Sequence, residues 1–343
     1  METCTWAPTV FQGPQLDGAA RRSRSAPTGA TLRQVVRDVA ARIEALGITH
    51  LLIAQRWWGT GEEIEDASLD CLAMTSYFAA VTEHIRLVTA IHPGFFQPAA
   101  IAKWGASLDA LTDGRWAINV VSGWNLQEFD MYGVDPLTHD ARYERSAEFI
   151  EVLKGAWSGS EFSYRGQYYE IEGLQLAPRP RHPLQIFQGG QSDAALQLAG
   201  GHSDWMFLNG GAPEKIAGII SRARKAAQDQ SRTLRFAMYA APLCRETDDA
   251  AWNEINARLA AIDPDRLARR KARVSGAQGM WAEDDNPLSL LDSNEGYSSG
   301  LIGSPATVLE RVREFRALGV DMLHLDLSDD RFNREVLPHI HTL

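Results

Sequence analysis

The feature that most constrains the fold is a regular alternation of short apolar segments with longer amphipathic segments. Leu32–Leu46, for example, carries apolar residues at helical spacing and is followed by Gly47, a residue that can end a helix. Thr49–Gln55 comes next, and its continuous apolar run is typical of a strand buried on both faces. The alternation predicts parallel strands, because neighbouring strands joined through a helix cannot form a hairpin.

Eight segments are predicted to be strands, with a helix between each one and the next. They are Cys4–Val10, Thr49–Gln55, Ile85–Ile91, Trp116–Val121, Leu184–Gln188, Trp205–Leu208, Leu234–Leu243 and Met322–Leu327. One closed (β/α)8 barrel of the TIM type, an α/β fold, accounts for this pattern and for a chain of 343 residues. A doubly wound open sheet is the alternative. It would favour a G-x-G-x-x-G motif after the first strand, where the chain has WAPTVFQG instead.

Two segments interrupt the alternation. Residues 162–171 (FSYRGQYYEI) have aromatic residues with a period of two around Arg165-Gly166, which predicts a small hairpin. Residues 263–300 are polar and irregular, and they are predicted to form an insertion or a mobile lid loop. No linker-like composition divides the chain, so residues 1–343 are predicted to form a single domain.

Composition excludes several classes of function. A net charge of −10 argues against a nucleic-acid partner and against binding to an anionic membrane surface. The three cysteines form no paired motif, and no His, Cys, Asp or Glu spacing typical of a metal site occurs, so no metal is expected. We find no secretory signal and no apolar segment long enough to span a membrane, so a soluble cytoplasmic enzyme is expected.

In a (β/α)8 barrel, ligands bind at the carboxyl ends of the strands, on the loops that lead into the helices. Here those loops are rich in Gly, amide side chains and aromatic residues, the last being Trp57, Trp58, Phe95, Phe96 and Trp124. Such loops suit a flat aromatic ligand that is approached by backbone and oriented by a few polar groups.

The loop after the fifth predicted strand is a candidate phosphate site. Gly189-Gly190 would allow close approach of the backbone, and Ser192 would cap the following helix, whose N-terminus favours anions. Arg142 and Tyr143 could bind the same anion through a guanidinium and a phenol. The alternatives are a simple helix cap for Ser192 and a solvated surface position for Arg142.

Other candidates are single residues in or just after strands. Asn119 lies inside an apolar strand, where a buried amide must bond either a neighbouring loop or a ligand. His92, before Pro93-Gly94, is a candidate catalytic residue that could donate a proton or form part of the site wall. Trp124 and Glu128, in the loop after the fourth strand, are less distinctive candidates.

Three motifs give the chain a specific resemblance. They are GRWAINVVSGW, HDARYERSAEF and GGQSDAA, and the similarity extends over nearly the whole predicted barrel. On these motifs the chain resembles the bacterial luciferase-like flavin monooxygenases. Within them it is most similar to the two-component branch that contains dimethylsulfone, alkanesulfonate and pyrimidine monooxygenases.

The resemblance implies a cofactor and a division of roles. Ser192, Arg142 and Tyr143, next to Gly190, would hold the phosphate of FMN. Asn119 and Glu128 would contact the flavin or the loop that carries it, and the pair Gln55-Arg56 would approach the isoalloxazine ring. His92 and Trp124 are the candidate catalytic residues. Reduced FMN, supplied by a separate NAD(P)H-dependent flavin reductase, would react with O2, and the resulting flavin peroxide would oxygenate a small organic substrate. A homodimer or homotetramer is expected.

Departures from the family pattern bear on the substrate. The alkanesulfonate branch carries a basic residue in the lid and a Tyr after the last strand, whereas this chain has LLDSNEGYSSG and LDLSDDRFN there. An anionic sulfonate is therefore disfavoured, and a neutral or cationic sulfone, amide, heterocycle or natural-product intermediate is expected. Two alternatives stay open: an oxidoreductase using the deazaflavin coenzyme F420, and a flavin-binding protein without catalytic activity.

Overall fold

The predicted alternation closes into a barrel. The computed structural model describes residues 1–7, 28–57, 68–265, 267–268, 278, 286–292 and 294–343. Eight strands, all parallel, form a closed barrel in the order β1-β12-β9-β8-β7-β4-β3-β2. Each neighbouring pair in chain order is joined through at least one helix. The (β/α)8 barrel prediction is confirmed.

The barrel strands lie where the apolar segments predicted them. They are β1 (Glu2–Trp6), β2 (His50–Ile53), β3 (Arg86–Ile91), β4 (Trp116–Val120), β7 (Ile186–Gly189), β8 (Trp205–Leu208), β9 (Arg235–Ala240) and β12 (Met322–Leu325). The predicted strand bounds differ from these by only a few residues, and residues 8–10 of the first prediction lie outside the described residues.

Helices surround the strands and cover the outside of the barrel. They are α1 (Gly29–Ala45), α2 (Cys71–Val81), α3 (Pro98–Thr112), α4 (Leu126–Met131), α5 (His139–Trp157), α6 (Asp193–His202), α7 (Pro213–Asp229), α8 (Asp248–Ala260), α9 (Pro305–Leu318), α10 (Asp330–Glu335) and α11 (Leu337–Ile340). None of these helices is long and apolar enough to cross a membrane. Several begin at side-chain caps, among them Asp70, Thr138 and Ser192, which accept hydrogen bonds from the backbone of the first turn.

Side chains alternate between the two faces of each strand, so two cores form. Residues that point outward pack under the helices. Residues that point inward form a separate cluster with large rings such as Phe187, Trp205 and Phe207. Since the interior is filled by side chains, a ligand can only enter from the carboxyl end, where the strands open into loops.

The predicted hairpin near residues 162–171 is confirmed and anchors a loop of the barrel. β5 (Phe162–Arg165) pairs antiparallel with β6 (Glu170–Leu174). The Tyr169 hydroxyl donates to the carbonyl of Pro93 at 2.8 Å. The hairpin therefore helps to fix the loop that follows β3.

The predicted lid, residues 263–300, falls partly outside the described residues, which omit 266, 269–277, 279–285 and 293. Its last part, residues 294–300, is packed onto the barrel. Glu295 is fully buried and adopts a left-handed conformation (φ 59°). Its carboxylate accepts from Lys215 Nζ at 3.2 Å and from Asn209 Nδ2 at 3.2 Å, which ties this segment to the end of β8 and to α7. A strand pair, β10 (Leu243–Cys244) and β11 (Ile302–Gly303), lies on either side of the insertion.

Candidate functional site

An aromatic cluster joins the loops that follow β2, β3 and β4. The ring of Trp57 stacks on Phe95, with centroids 4.1 Å apart and planes 11° apart. Tyr132 packs edge-on against both rings, and Phe129 lies beneath Phe95 at 4.9 Å. Trp58, which the sequence analysis grouped with these residues, lies outside the described residues. The cluster gives this side of the barrel mouth an apolar wall.

His92, at the end of β3, is held by the aromatic cluster. Trp57 Nε1 donates to His92 Nδ1 at 3.2 Å, so the neutral imidazole carries its proton on Nε2. Burial, and then the positive charge of Arg56, lower the pKa of His92 to about 3. His92 is therefore uncharged at neutral pH. It can donate a hydrogen bond from Nε2, but it is a poor source of a full proton.

The loop after β2 is positioned by contacts within the protein. The Gln55 side-chain oxygen accepts from the backbone N–H of Cys71 at 2.6 Å, at the start of α2. The Glu128 carboxylate accepts from the backbone N–H of Trp57 at 3.2 Å. The Arg56 guanidinium lies 5.0 Å from the centroid of the Trp124 ring. The structure thus brings the predicted residues Gln55, Arg56, Trp124 and Glu128 to one end of the barrel. There the side chains of Gln55 and Glu128 accept hydrogen bonds from backbone N–H groups and so position the loop.

The predicted phosphate residues Tyr143, Gly190 and Ser192 meet at the N-terminus of α6. The Ser192 hydroxyl lies close enough to the Tyr143 hydroxyl to lower the pKa of Tyr143, against the larger effect of burial. Ser192 also caps α6, because its oxygen accepts from Ala195 N at 3.3 Å. Gly190 has φ +133°, and a Cβ there would lie 2.9 Å from the Tyr143 oxygen. Burial raises the pKa of Tyr143, so its hydroxyl stays protonated and can donate. We call this group, Tyr143 with Gly190 and Ser192, the hydroxyl cradle.

Arg142 lies beside the hydroxyl cradle but has a partner of its own. Its side chain is only 2% exposed, and its guanidinium donates to the carbonyls of Pro136 and Leu137 at 3.4 and 3.1 Å. These bonds hold a turn in which Leu137 has φ 54°. The surface alternative is therefore wrong for Arg142, since its guanidinium secures the loop before α5. Its contact with a phosphate stays a prediction.

Asn119 faces the barrel interior, on the same side as Ala117 in β4 and Val121 just after it. Its side chain is 5% exposed, and its Oδ1 atom has no hydrogen-bond partner among the described residues. Leaving a buried acceptor unpaired costs about 1–3 kcal/mol. Of the two alternatives for this amide, the structure provides no neighbouring loop bond for Oδ1, so a ligand contact is favoured.

A second set of interior residues was not predicted from the sequence. Trp6, Phe207, Tyr239 and His324 lie on β1, β8, β9 and β12, and their rings are 4.5 to 6.4 Å apart where they touch. The only available signal was the inward position of each residue in an alternating strand. That signal cannot distinguish a side chain that fills the barrel from one that lines a site.

Among the residues that the structure describes, no cluster of three or more His, Cys, Asp or Glu side chains is placed to hold a metal ion. The polar groups at the barrel mouth are hydroxyls, amides and a neutral imidazole set among aromatic rings, together with the charged side chains of Arg56, Glu128 and Arg142. This chemistry suits hydrogen bonding to a flat organic ligand with an anionic end.

Comparison with known proteins agrees with this geometry. The family model of luciferase-like monooxygenases matches residues 1–322. An FMNH2-dependent dimethylsulfone monooxygenase of Pseudomonas fluorescens (strain Pf0-1) is 34% identical over 320 residues, which cover 90% of this chain and 87% of that protein. A protein with the same description from Pseudomonas putida is 35% identical over 293 residues, covering 81% and 80%.

A solved structure extends the likeness to the fold. The crystal structure of a long-chain alkane monooxygenase superposes with a TM-score of 0.81 at 20% identity and covers 100% of this chain and 91% of that one. Because the family model spans almost the entire barrel and the two relatives exceed 30% identity over most of the chain, this protein belongs to the luciferase-like monooxygenase family.

Proposed function

We propose that this chain is a monooxygenase that uses reduced FMN and O2 to oxygenate a small, uncharged organic molecule, with sulfones as the leading class. Two relatives are FMNH2-dependent dimethylsulfone monooxygenases. The observation that carries the proposal is the hydroxyl cradle at the start of α6, beside an apolar wall of stacked rings.

The cradle fits the phosphate of FMN. Two hydroxyl groups, from Tyr143 and Ser192, converge there, and Gly190 leaves open the space that a Cβ would fill. The N-terminus of α6 adds the backbone N–H groups of its first turn and the positive end of the helix dipole. These groups bind an anion through neutral donors.

Two neutral groups can contact the flavin ring. The unpaired Oδ1 of Asn119 can accept a hydrogen bond from a ring N–H at the flavin edge. His92, fixed by Trp57, can donate from Nε2. Bound reduced FMN supplies the electrons that activate O2. The Trp57–Phe95 stack keeps water from the reacting centre, which favours oxygenation of the substrate over wasteful loss of the activated oxygen.

A separate NAD(P)H-dependent reductase is part of the proposal. The sequence has no G-x-G-x-x-G fingerprint after its first strand, so a nicotinamide site of that kind is not expected on this chain. Reduced FMN then reaches the barrel as a diffusible co-substrate, and the phosphate contacts must hold it during one turnover.

The test supplies reduced FMN and 18O2 to the purified protein with dimethylsulfone. We expect one labelled oxygen atom in an organic product and substrate loss that depends on both FMNH2 and O2. The deazaflavin F420, reduced in the same way, is the control and should support no turnover. Tight binding of F420 with no binding of FMN would overturn the proposal, and so would FMNH2 oxidation that dimethylsulfone and other sulfones leave uncoupled from product.

A further inference from the structure

The barrel order divides the mouth into two arcs of four adjacent strands. Gln55, His92, Asn119 and Gly190 all lie on or directly after β2, β3, β4 and β7, which are neighbours in the closed sheet. The remaining strands, β8, β9, β12 and β1, are also neighbours. A flavin held by the first arc therefore has the second arc facing it across the barrel.

The second arc carries one continuous cluster of rings. His324 lies at its centre, with ring centroids 4.5 Å from Trp6, 5.2 Å from Tyr239 and 5.6 Å from Phe207. Trp6 is the last residue of β1 and is only half-buried, so the cluster begins at the mouth and continues inward. We call these four residues the facing wall.

Two polar atoms in the facing wall, Trp6 Nε1 and His324 Nε2, are buried and have no hydrogen-bond partner within the described part of the protein. His324 is 2% exposed, and its Nε2 has no hydrogen-bond partner among the described residues. Native proteins rarely leave such an atom unpaired, because burial removes its water without replacing it. A leucine would fill a position among three aromatic rings without this cost, so the presence of histidine requires another reason.

The electrostatics of the facing wall disfavour anions. Burial lowers the pKa of His324 to about 3, so the ring is neutral and offers a hydrogen bond but no charge. Burial, and then the carboxylates of Asp292 and Asp326, raise the pKa of Tyr239 well above its usual value. Two carboxylates that act on the facing wall would repel a sulfonate but not an uncharged sulfone.

Resting on the proposed function, we infer that the facing wall is the substrate side of the site and that His324 Nε2 hydrogen-bonds an uncharged polar group of the substrate. For a sulfone, Nε2–H donates to a sulfonyl oxygen while the rings of Trp6, Tyr239 and Phe207 contact the alkyl groups. His324 is then a specificity-determining residue for neutral substrates.

The test compares His324→Leu, which removes the polar atom, with His324→Gln, which retains a hydrogen-bonding group. His50→Leu is the matched control, because His50 is also a buried interior histidine but lies at the first residue of β2, where its ring packs against Phe187 and Trp205 and not against the facing wall. Binding is measured by saturation-transfer NMR on the methyl resonance of dimethylsulfone, with the protein loaded with oxidised FMN. KM, kcat and the Kd for FMN are measured in parallel.

We expect His324→Leu to raise KM for dimethylsulfone about 3- to 10-fold, which is the effect of losing one hydrogen bond. The same substitution should weaken the NMR transfer signal. His324→Gln should fall between His324→Leu and the wild type. The Kd for FMN should stay within a factor of two, and the Tm of His324→Leu should equal or exceed that of the wild type. A purely structural histidine would instead lower the Tm on replacement and leave KM unchanged.

These measurements distinguish a failure of the role assigned to His324 from a failure of the proposed function. If the wild type binds FMN and oxygenates dimethylsulfone while His324→Leu keeps the wild-type KM and NMR signal, the role of His324 is overturned and the proposed function stands. If the wild type does not bind FMN, the proposed function is overturned, and the facing wall loses its assignment with it. An equal rise of KM in His50→Leu would also overturn the assignment, because the effect would then not be local.

Discussion

Gly190 is the position where one added methyl group tests the phosphate assignment most directly. Its φ of +133° lies in a region that residues with a Cβ rarely adopt. An added Cβ would lie 2.9 Å from the Tyr143 hydroxyl oxygen and 2.9 Å from the Cβ of Ala195. Gly190→Ala therefore strains the backbone and displaces one of the two hydroxyl groups of the cradle.

Both effects have a size that can be worked out. Backbone strain of this kind costs about 1–3 kcal/mol. An unfolding entropy of about 2.1 cal/mol/K per residue gives roughly 0.7 kcal/mol/K for 343 residues, so the Tm should fall by about 1.5–4 °C. A hydrogen bond to a charged group contributes about 1.5–3 kcal/mol. Its loss raises the Kd for FMN by about 10- to 140-fold, since 1.4 kcal/mol is a factor of ten.

The assay titrates FMN fluorescence against the protein and measures the Tm separately without flavin, so that binding does not contribute to the melting temperature. Gly201→Ala is the matched control, because it adds the same methyl group near the other end of α6, where nothing lies within 4 Å. It should leave the Kd unchanged and should not lower the Tm. A lowered Tm with wild-type FMN affinity in Gly190→Ala would refute the phosphate assignment, and an unchanged Tm would refute the strain argument.

Two further predictions concern stability. Glu295→Gln removes a fully buried carboxylate charge that accepts a hydrogen bond from Lys215. It should lower the free energy of unfolding, measured by urea titration, by about 1–3 kcal/mol. In a Lys215→Met background the same change should lower the free energy of unfolding clearly less. Burial lowers the pKa values of His50, His92 and His324 to about 3, from an ordinary value near 6.5. The unfolded chain therefore binds more protons below pH 6.5, and stability should fall with acidification by up to about 1.4 kcal/mol per pH unit for each histidine, down to about pH 3. His324→Leu should reduce that slope, measured by urea unfolding between pH 7 and pH 5, by up to about 1.4 kcal/mol per pH unit, and an unchanged slope would contradict the neutral state assigned to His324.

The fold could be predicted because its information is local and repeated. Each strand is a short apolar run and each helix has its own periodicity, so the order of elements follows from segments such as Trp205–Leu208, whose bounds were predicted without error. The hairpin at 162–171 had an equally local pattern of alternating aromatic residues. Less was predictable for residues 294–300, because the burial of Glu295 depends on Lys215 and Asn209, which are about 80 residues distant in the chain.

The parts of the candidate site that could be predicted involve residues that are close together in the chain. Gly190 and Ser192 belong to one loop and one helix start, and the contact of Ser192 with Tyr143 agrees with the shared phosphate site inferred from sequence. The partner of Arg142 could not be predicted, since the carbonyls of Pro136 and Leu137 face it only because of the turn that they form. The role of Gln55 could not be predicted either, because its side-chain oxygen accepts a hydrogen bond from the backbone at the start of α2.

The substrate half of the mouth had no comparable local pattern. Trp6, Phe207, Tyr239 and His324 each occupy an inward position of a different strand, and they become neighbours only when the barrel closes between β1 and β12. An inward aromatic residue in a barrel strand is most simply explained as core filling, and Phe207 and Tyr239 satisfy that explanation. His324 and Trp6 are the exceptions, because their buried Nε2 and Nε1 atoms impose a cost that core filling does not require. The difference between a wall that fills the barrel and one that binds a substrate therefore rests on two unpaired nitrogen atoms. It is visible only after the strands have been placed.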